Sequence, residues 1–114
     1  MKIIVADAAA HVRSALRLVL EQHPSVTCVL ELATGDDLLE VIASKHVDLL
    51  LVDWRLPGLD IAALRHACPR TRVTVLSSRP EERRPALAAG ADAFVCKGDS
   101  PEALLAGLAL DADA

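Results

Sequence analysis

The strongest constraint on the fold of this 114-residue chain is a series of short apolar runs separated by stretches with helical spacing. The runs lie at residues 2–7, 26–32, 47–53, 73–77 and 93–97. The first, third and fourth are almost continuously apolar, which is typical of strands buried on both faces of a parallel sheet. Strands that alternate with helices predict an α/β class, doubly wound parallel sheet. We expect a single domain over residues 1–110, followed by a frayed tail at 111–114.

Helices are predicted after each strand, and the third and fourth of them are short. The first covers about residues 9–22, where apolar side chains recur on one face. Thr34 and Ser100 are predicted N-caps of the second and fifth helices. A proline limits the third helix to about residues 60–68. The fourth is expected to begin near a second proline and to cover about residues 85–90, because proline is poorly tolerated inside a helix.

Composition and charge exclude several functions. The net charge is −4 and the pI is about 5.5, so there is no basic excess for binding nucleic acid. The apolar runs are too short to span a membrane, and the amino terminus does not resemble a signal peptide, so a cytoplasmic location is expected. The cysteines form no CxxC pair and the histidines have no metal-ligand spacing. Phosphatase, P-loop and Ser-His-Asp signatures are also missing from the sequence, which argues against a small enzyme.

Polar residues stand at the predicted carboxyl ends of four strands. Asp7 ends the first strand, Asp53 the third and Lys97 the fifth, while Ser77 and Ser78 end the fourth. Ligand sites of open α/β sheets lie beyond these strand ends. If the four strands are neighbours, the side chains converge on one site. The alternative is that they are solvated residues at the starts of loops.

This set of residues suits phosphoryl transfer. An aspartate carboxylate can act as a nucleophile and form an aspartyl phosphate. A divalent cation held by a nearby carboxylate would offset the repulsion between this anionic nucleophile and an anionic donor. Mg²⁺ prefers oxygen ligands, and a lysine and a hydroxyl would contact the transferred phosphoryl oxygens.

The segments LLLVDWRLPGLD, VTVLSS and GADAFVCK resemble the receiver domains of bacterial two-component response regulators. The resemblance extends over almost the whole chain, and ADAAAHVRSALRLVLE is similar to receivers that are joined to helix-turn-helix output domains. It implies a five-stranded, flavodoxin-like sheet in the order 2-1-3-4-5. It also implies a role for each site residue: Asp53 as phosphoacceptor; Asp7, Asp53 and the backbone carbonyl of Arg55 as Mg²⁺ ligands; Ser77, Ser78 and Lys97 as phosphoryl contacts; and Ser77 and Phe94 as switch residues.

The sequence departs from the family pattern beside Asp7. Ala8 stands where the family usually has a second acidic residue, so we expect weak Mg²⁺ binding and slow phosphorylation. Arg55 and Arg79 flank the predicted site, and one hypothesis is that one of them pairs with Asp53; the alternative is that both are solvated. The charged run at 79–84 is interpreted as a solvated loop, with a partner-docking surface as the alternative.

Two functions are left open by these observations. The first is a phosphoacceptor receiver that takes a phosphoryl group from a histidine kinase or phosphotransfer protein and signals to an unknown downstream protein. The second is a degenerate receiver that acts as an interaction module without phosphorylation. Neither predicts an enzyme beyond Mg²⁺-dependent gain and loss of the aspartyl phosphate. The resemblance also leaves a homodimer open, with no direct binding of nucleic acid or membrane by this chain.

Overall fold

A computed structural model describes residues 1–110, which form a five-stranded parallel sheet covered by helices. The strands are β1 (Lys2–Ala6), β2 (Cys28–Leu32), β3 (Leu49–Asp53), β4 (Arg72–Ser77) and β5 (Ala93–Cys96). They are hydrogen-bonded in the order β2-β1-β3-β4-β5, and every neighbouring pair is parallel. The predicted doubly wound, flavodoxin-like order is therefore confirmed.

The helices are α1 (Ala10–Glu21), α2 (Gly35–Ile42), α3 (Ile61–Ala67), α4 (Arg83–Ala88) and α5 (Pro101–Leu108). As predicted, α3 and α4 are short, with seven and six residues. The predicted N-caps are also confirmed. Thr34 Oγ1 accepts a hydrogen bond from a backbone N–H in the first turn of α2 at 3.1 Å, and Ser100 Oγ does the same for α5 at 3.1 Å.

The start of α4 differs from the prediction that placed it near Pro85. A 3₁₀ turn at Pro80–Glu82 leads directly into α4, which begins at Arg83, so Pro85 is its third residue. The N–H groups of the first helical turn have no carbonyl partner within the helix, so a proline there removes no helical hydrogen bond. The exclusion of proline applies to later turns, and applying it to the first turn made the predicted helix begin and end two residues too late.

The strands bury both of their faces, as their continuous apolar composition predicted. On one face, Ile4, Leu50 and Val73 pack in a core with α2, α3 and α4. On the other face, Ile3 and Leu51 pack in a second core with α1 and α5. This double cover of the central strands directs the search for a site to the strand ends.

Within residues 1–110, no helix is long and apolar enough to cross a membrane. The predicted frayed tail at 111–114 lies outside the described residues. The domain boundary near residue 110 therefore stays a prediction.

Candidate functional site

The polar residues predicted at the strand ends lie together at one edge of the sheet. Asp53 and Ser77 are the last residues of β3 and β4, and Asp7 and Lys97 directly follow β1 and β5. Lys97 Nζ lies 2.8 Å from Asp7 Oδ2 and 3.2 Å from Asp53 Oδ1. The two carboxylates come from adjacent strands and share this one ammonium group. The expected convergence is therefore present, and the solvated-loop alternative does not describe these three residues.

Asp7 is held firmly in the first loop. Its side chain is only 2% exposed, and its Oδ1 accepts a hydrogen bond from the backbone N–H of Ala9 at 2.9 Å. Arg13, one turn into α1, donates from Nη1 to the backbone carbonyl of Asp7 at 2.7 Å. Ala8, between these anchoring groups, is exposed. The position at which the resemblance predicts a second acid thus has no side-chain oxygen that could bind a metal.

Lys97 supplies the positive charge between the carboxylates. Burial lowers the pKa of its ammonium group, but the hydrogen bond to Asp7 and the negative charge of Asp53 outweigh this effect, so the pKa lies above its ordinary value of 10.5. The backbone supports this placement, because the Lys97 N–H donates to the carbonyl of Ser77 at 2.9 Å. The side chain is therefore a fixed cation at neutral pH.

The residues present fit a magnesium ion, although with a sparse donor set. Asp7 and Asp53 offer carboxylate oxygens, and within residues 1–110 no hydrogen bond is donated to the Arg55 carbonyl. All three are the hard oxygen donors that Mg²⁺ prefers. No cluster of three or more His, Cys, Asp or Glu side chains suited to a metal occurs in the described part of the chain. Water and phosphoryl oxygens would have to complete the coordination shell.

Ser77 has a partner that the sequence analysis did not predict. Its hydroxyl donates to the Glu82 carboxylate, and it accepts the Arg79 backbone N–H at 3.0 Å. The second Glu82 oxygen accepts from Arg55 Nη2 at 3.2 Å. The interpretation of 79–84 as a solvated loop was wrong, because residues 80–84 lie in a 3₁₀ turn and α4, and the Glu82 side chain is only 14% exposed. The one available signal was Pro80, which is favoured at the start of a helical turn and would place Glu82 in that turn.

The hypothesis that an arginine pairs with Asp53 is also wrong for Arg55. Its guanidinium binds Glu82, and the cation at Asp53 is Lys97. The side chain of Arg79 is exposed, and its contribution at this edge comes from its backbone. Ser78 is exposed as well, and within residues 1–110 its side chain makes no hydrogen bond to the other predicted site residues.

Phe94, the predicted switch aromatic, faces inward. It lies in β5 opposite Val75 of β4, is 9% exposed, and packs in the core that contains Ala86 of α4. Its side chain thus lies in the core between the sheet and α4. Whether it changes position during signalling stays a prediction.

Comparison with known proteins identifies the family. The family model for the response regulator receiver domain matches residues 3–109 of this sequence. The chain is a response regulator receiver domain. The uncharacterized transcriptional regulatory protein YhcZ of Bacillus subtilis is 38% identical over 92% of this chain. The nitrate/nitrite response regulator NarL of Escherichia coli is 30% identical over 93% of it.

Solved structures agree with this assignment. The signal receiver domain of the putative response regulator NarL from Mycobacterium tuberculosis is 28% identical, with a TM-score of 0.83, and the match covers 97% of this chain and 94% of that one. The isolated receiver domain of RcsB from Salmonella enterica superposes with a TM-score of 0.86 over 100% of this chain and 89% of that one. At 24% identity, that second match supports the fold alone. The receiver spans about half the length of the curated relatives YhcZ and NarL, 52% in each case.

Proposed function

We propose that Asp53 is the phosphoacceptor of this receiver. The observation that carries the proposal is the shared ammonium of Lys97, which holds Asp7 and Asp53 side by side at the carboxyl ends of adjacent strands. Asp53 is 8% exposed, so its carboxylate is largely desolvated while it still faces the open edge of the sheet. A desolvated carboxylate beside a fixed cation is a suitable nucleophile for an anionic phosphoryl donor.

In the proposed step, an Asp53 carboxylate oxygen attacks the phosphorus of a phosphohistidine on a histidine kinase or phosphotransfer protein. The new P–O bond forms an acyl phosphate, the P–N bond breaks, and the departing imidazole takes up a proton. Lys97 and the Ser77 hydroxyl would bind the phosphoryl oxygens. A bound Mg²⁺ ion would offset the charge of donor and acceptor, with Asp7, Asp53 and the Arg55 carbonyl as its protein ligands. Later hydrolysis of the acyl phosphate is the only other reaction proposed.

Phosphorylation is expected to be slow and Mg²⁺ binding weak. Ala8 offers no oxygen, and Lys97 already neutralises part of the charge that would attract a cation. Fewer charged ligands lower the affinity for hard divalent cations. We infer that the receiver acts in the cytoplasm and passes its signal to an unknown downstream protein. The mass of the receiver in solution tests whether it forms a homodimer.

Intact mass after incubation with Mg²⁺ and acetyl phosphate tests the proposal. The expected result is one added phosphoryl group that disappears in Asp53→Asn. Asp99→Asn is the matched control, because Asp99 is an exposed aspartate two residues beyond Lys97 and should leave the modification unchanged. Trp54, which directly follows Asp53 and is partly buried, provides a fluorescence signal in the same samples.

The second candidate is an interaction module that works without phosphorylation. Ala8 favours it, because a receiver without its second acid is less able to recruit the metal. No added mass and no change in Trp54 fluorescence at high Mg²⁺, in a folded sample, would select this candidate over the phosphoacceptor.

A further inference from the structure

We propose that Glu82 is a built-in brake on phosphorylation: in the resting state it holds the Ser77 hydroxyl, which would bind a phosphoryl group on Asp53, and the Arg55 guanidinium, which would add a second cation beside Lys97. The proposal rests on the phosphoacceptor function argued above. We use the name Glu82 latch for the two contacts of this carboxylate, one with the Ser77 hydroxyl and one with the Arg55 guanidinium.

The Ser77 hydroxyl carries a single proton. A serine hydroxyl donates one hydrogen bond, and of its two acceptors in this structure the Glu82 carboxylate is much closer than the Arg79 carbonyl, which lies at 3.4 Å. The oxygen also accepts the Arg79 N–H at 3.0 Å, so the position of the hydroxyl is fixed from both sides. Ser77 can therefore donate to a phosphoryl oxygen only after its bond to Glu82 breaks.

The Glu82 carboxylate also pairs with a cation. Glu82 is 14% exposed, and its other oxygen lies 3.2 Å from Arg55 Nη2. Arg55 is two residues after Asp53 in the chain and its side chain is 60% exposed, so an aspartyl phosphate that attracted this cation would draw it away from Glu82. A phosphoryl group and the Glu82 carboxylate are both anionic, so they compete for the same two donors and repel each other. The latch therefore stabilises the unphosphorylated state relative to the phosphorylated one.

The Glu82 latch lies directly before helix α4. Glu82 ends the 3₁₀ turn at Pro80–Glu82, and α4 begins at the next residue. Release of the carboxylate would free this turn and the start of α4. The latch thus couples the charge on Asp53 to the position of the α4 surface, which carries the exposed Leu87.

The test measures beryllofluoride binding in the presence of Mg²⁺, followed by Trp54 fluorescence. Glu82→Ala is expected to bind beryllofluoride about tenfold more tightly than the wild type, since a charge-assisted hydrogen bond no longer opposes binding. Glu82→Gln should give a smaller gain of about threefold, because the amide oxygen still accepts from Ser77 although the charge is gone. Glu81→Ala is the matched control, since this exposed neighbour lies in the same 3₁₀ turn. It should bind like the wild type.

A double-mutant cycle of Ser77→Ala and Glu82→Ala on unfolding in urea measures the resting contact without any ligand. The absence of coupling would overturn the latch. Coupling with equal beryllofluoride affinity in the wild type and Glu82→Ala would overturn the brake, while the phosphoacceptor function would stand. If no variant binds beryllofluoride, both the phosphoacceptor function and the brake fail, and the coupling energy shows whether the contact itself exists.

Discussion

Ala8→Asp should strengthen Mg²⁺ binding by adding a second carboxylate directly after Asp7. Ala8 is exposed, so the new carboxylate would meet the metal in a largely aqueous environment. At about 4 Å in water, two unit charges attract by about 1 kcal/mol, and a divalent ion doubles this to about 2 kcal/mol. Salt screening and the ordering of the new side chain reduce that value to about 1.4 kcal/mol, or about tenfold in affinity.

The assay is a Mg²⁺ titration of Trp54 fluorescence at constant ionic strength. Ala10→Asp is the control, because it adds the same charge at an exposed position two residues later, at the start of α1. It should shift the titration by less than about twofold, since a charge outside the coordination shell is screened. If Ala8→Asp has the Mg²⁺ affinity of the wild type, or if Ala10→Asp gains as much Mg²⁺ affinity as Ala8→Asp, then the absence of a carboxylate at position 8 is not what limits metal binding.

Three further variants test the fold and its charges by urea unfolding. Lys97→Met should lower the free energy of unfolding at pH 7 by about 1–3 kcal/mol, because two carboxylates lose their cation. Since folding raises the pKa of Lys97, this stabilisation is present below 10.5, and the difference from the wild type should shrink as pH rises through the higher folded value. Asp48→Ala should cost about 1 kcal/mol at pH 7, because Asp48 accepts the Lys2 N–H at 2.7 Å. That bond lowers the Asp48 pKa below its ordinary value of 3.8, so the stabilisation is present above pH 3.8 and is lost as pH falls through the lower folded pKa. The unfolding free energies of Asp48→Ala and the wild type should therefore converge at low pH. Gly35→Ala should cost about 2–3 kcal/mol, because its Cβ would lie 2.1 Å from the Gly58 carbonyl oxygen; wild-type stability would contradict this packing.

The fold could be predicted from the sequence because its strongest signals are local. Continuous apolar runs mark buried strands, and Thr34 and Ser100 mark helix starts through bonds to residues three positions away. Asp7, Asp53, Ser77 and Lys97 could be placed at one edge because parallel strands end together. These inferences need the order of the strands but not the conformation of any side chain.

The partners of these residues could not be predicted in the same way. Whether Arg55 binds Asp53 or Glu82 depends on where the 3₁₀ turn at Pro80–Glu82 carries the glutamate. Sequence spacing shows that charges are near one another along the chain, but an ion pair is decided by distances of a few ångströms. The start of α4 was predicted near Pro85 instead of at Arg83 for a similar reason. Whether a helix tolerates a proline depends on the position of that proline within a single turn.

The charges at the site are compatible with the proposed transfer of a phosphoryl group to Asp53, although Ala8 offers no carboxylate. Asp7 and Asp53 against Lys97 leave one net negative charge, and Glu82 with Arg55 adds none. A second acid would increase the pull on Mg²⁺, but it would also increase the repulsion of an anionic donor. On the proposed function, Mg²⁺ should bind weakly to the resting site and more tightly once a phosphoryl group is present. Weak resting Mg²⁺ affinity and phosphorylation on Asp53 are therefore compatible, because the phosphoryl oxygens themselves supply the ligand charge that Ala8 lacks.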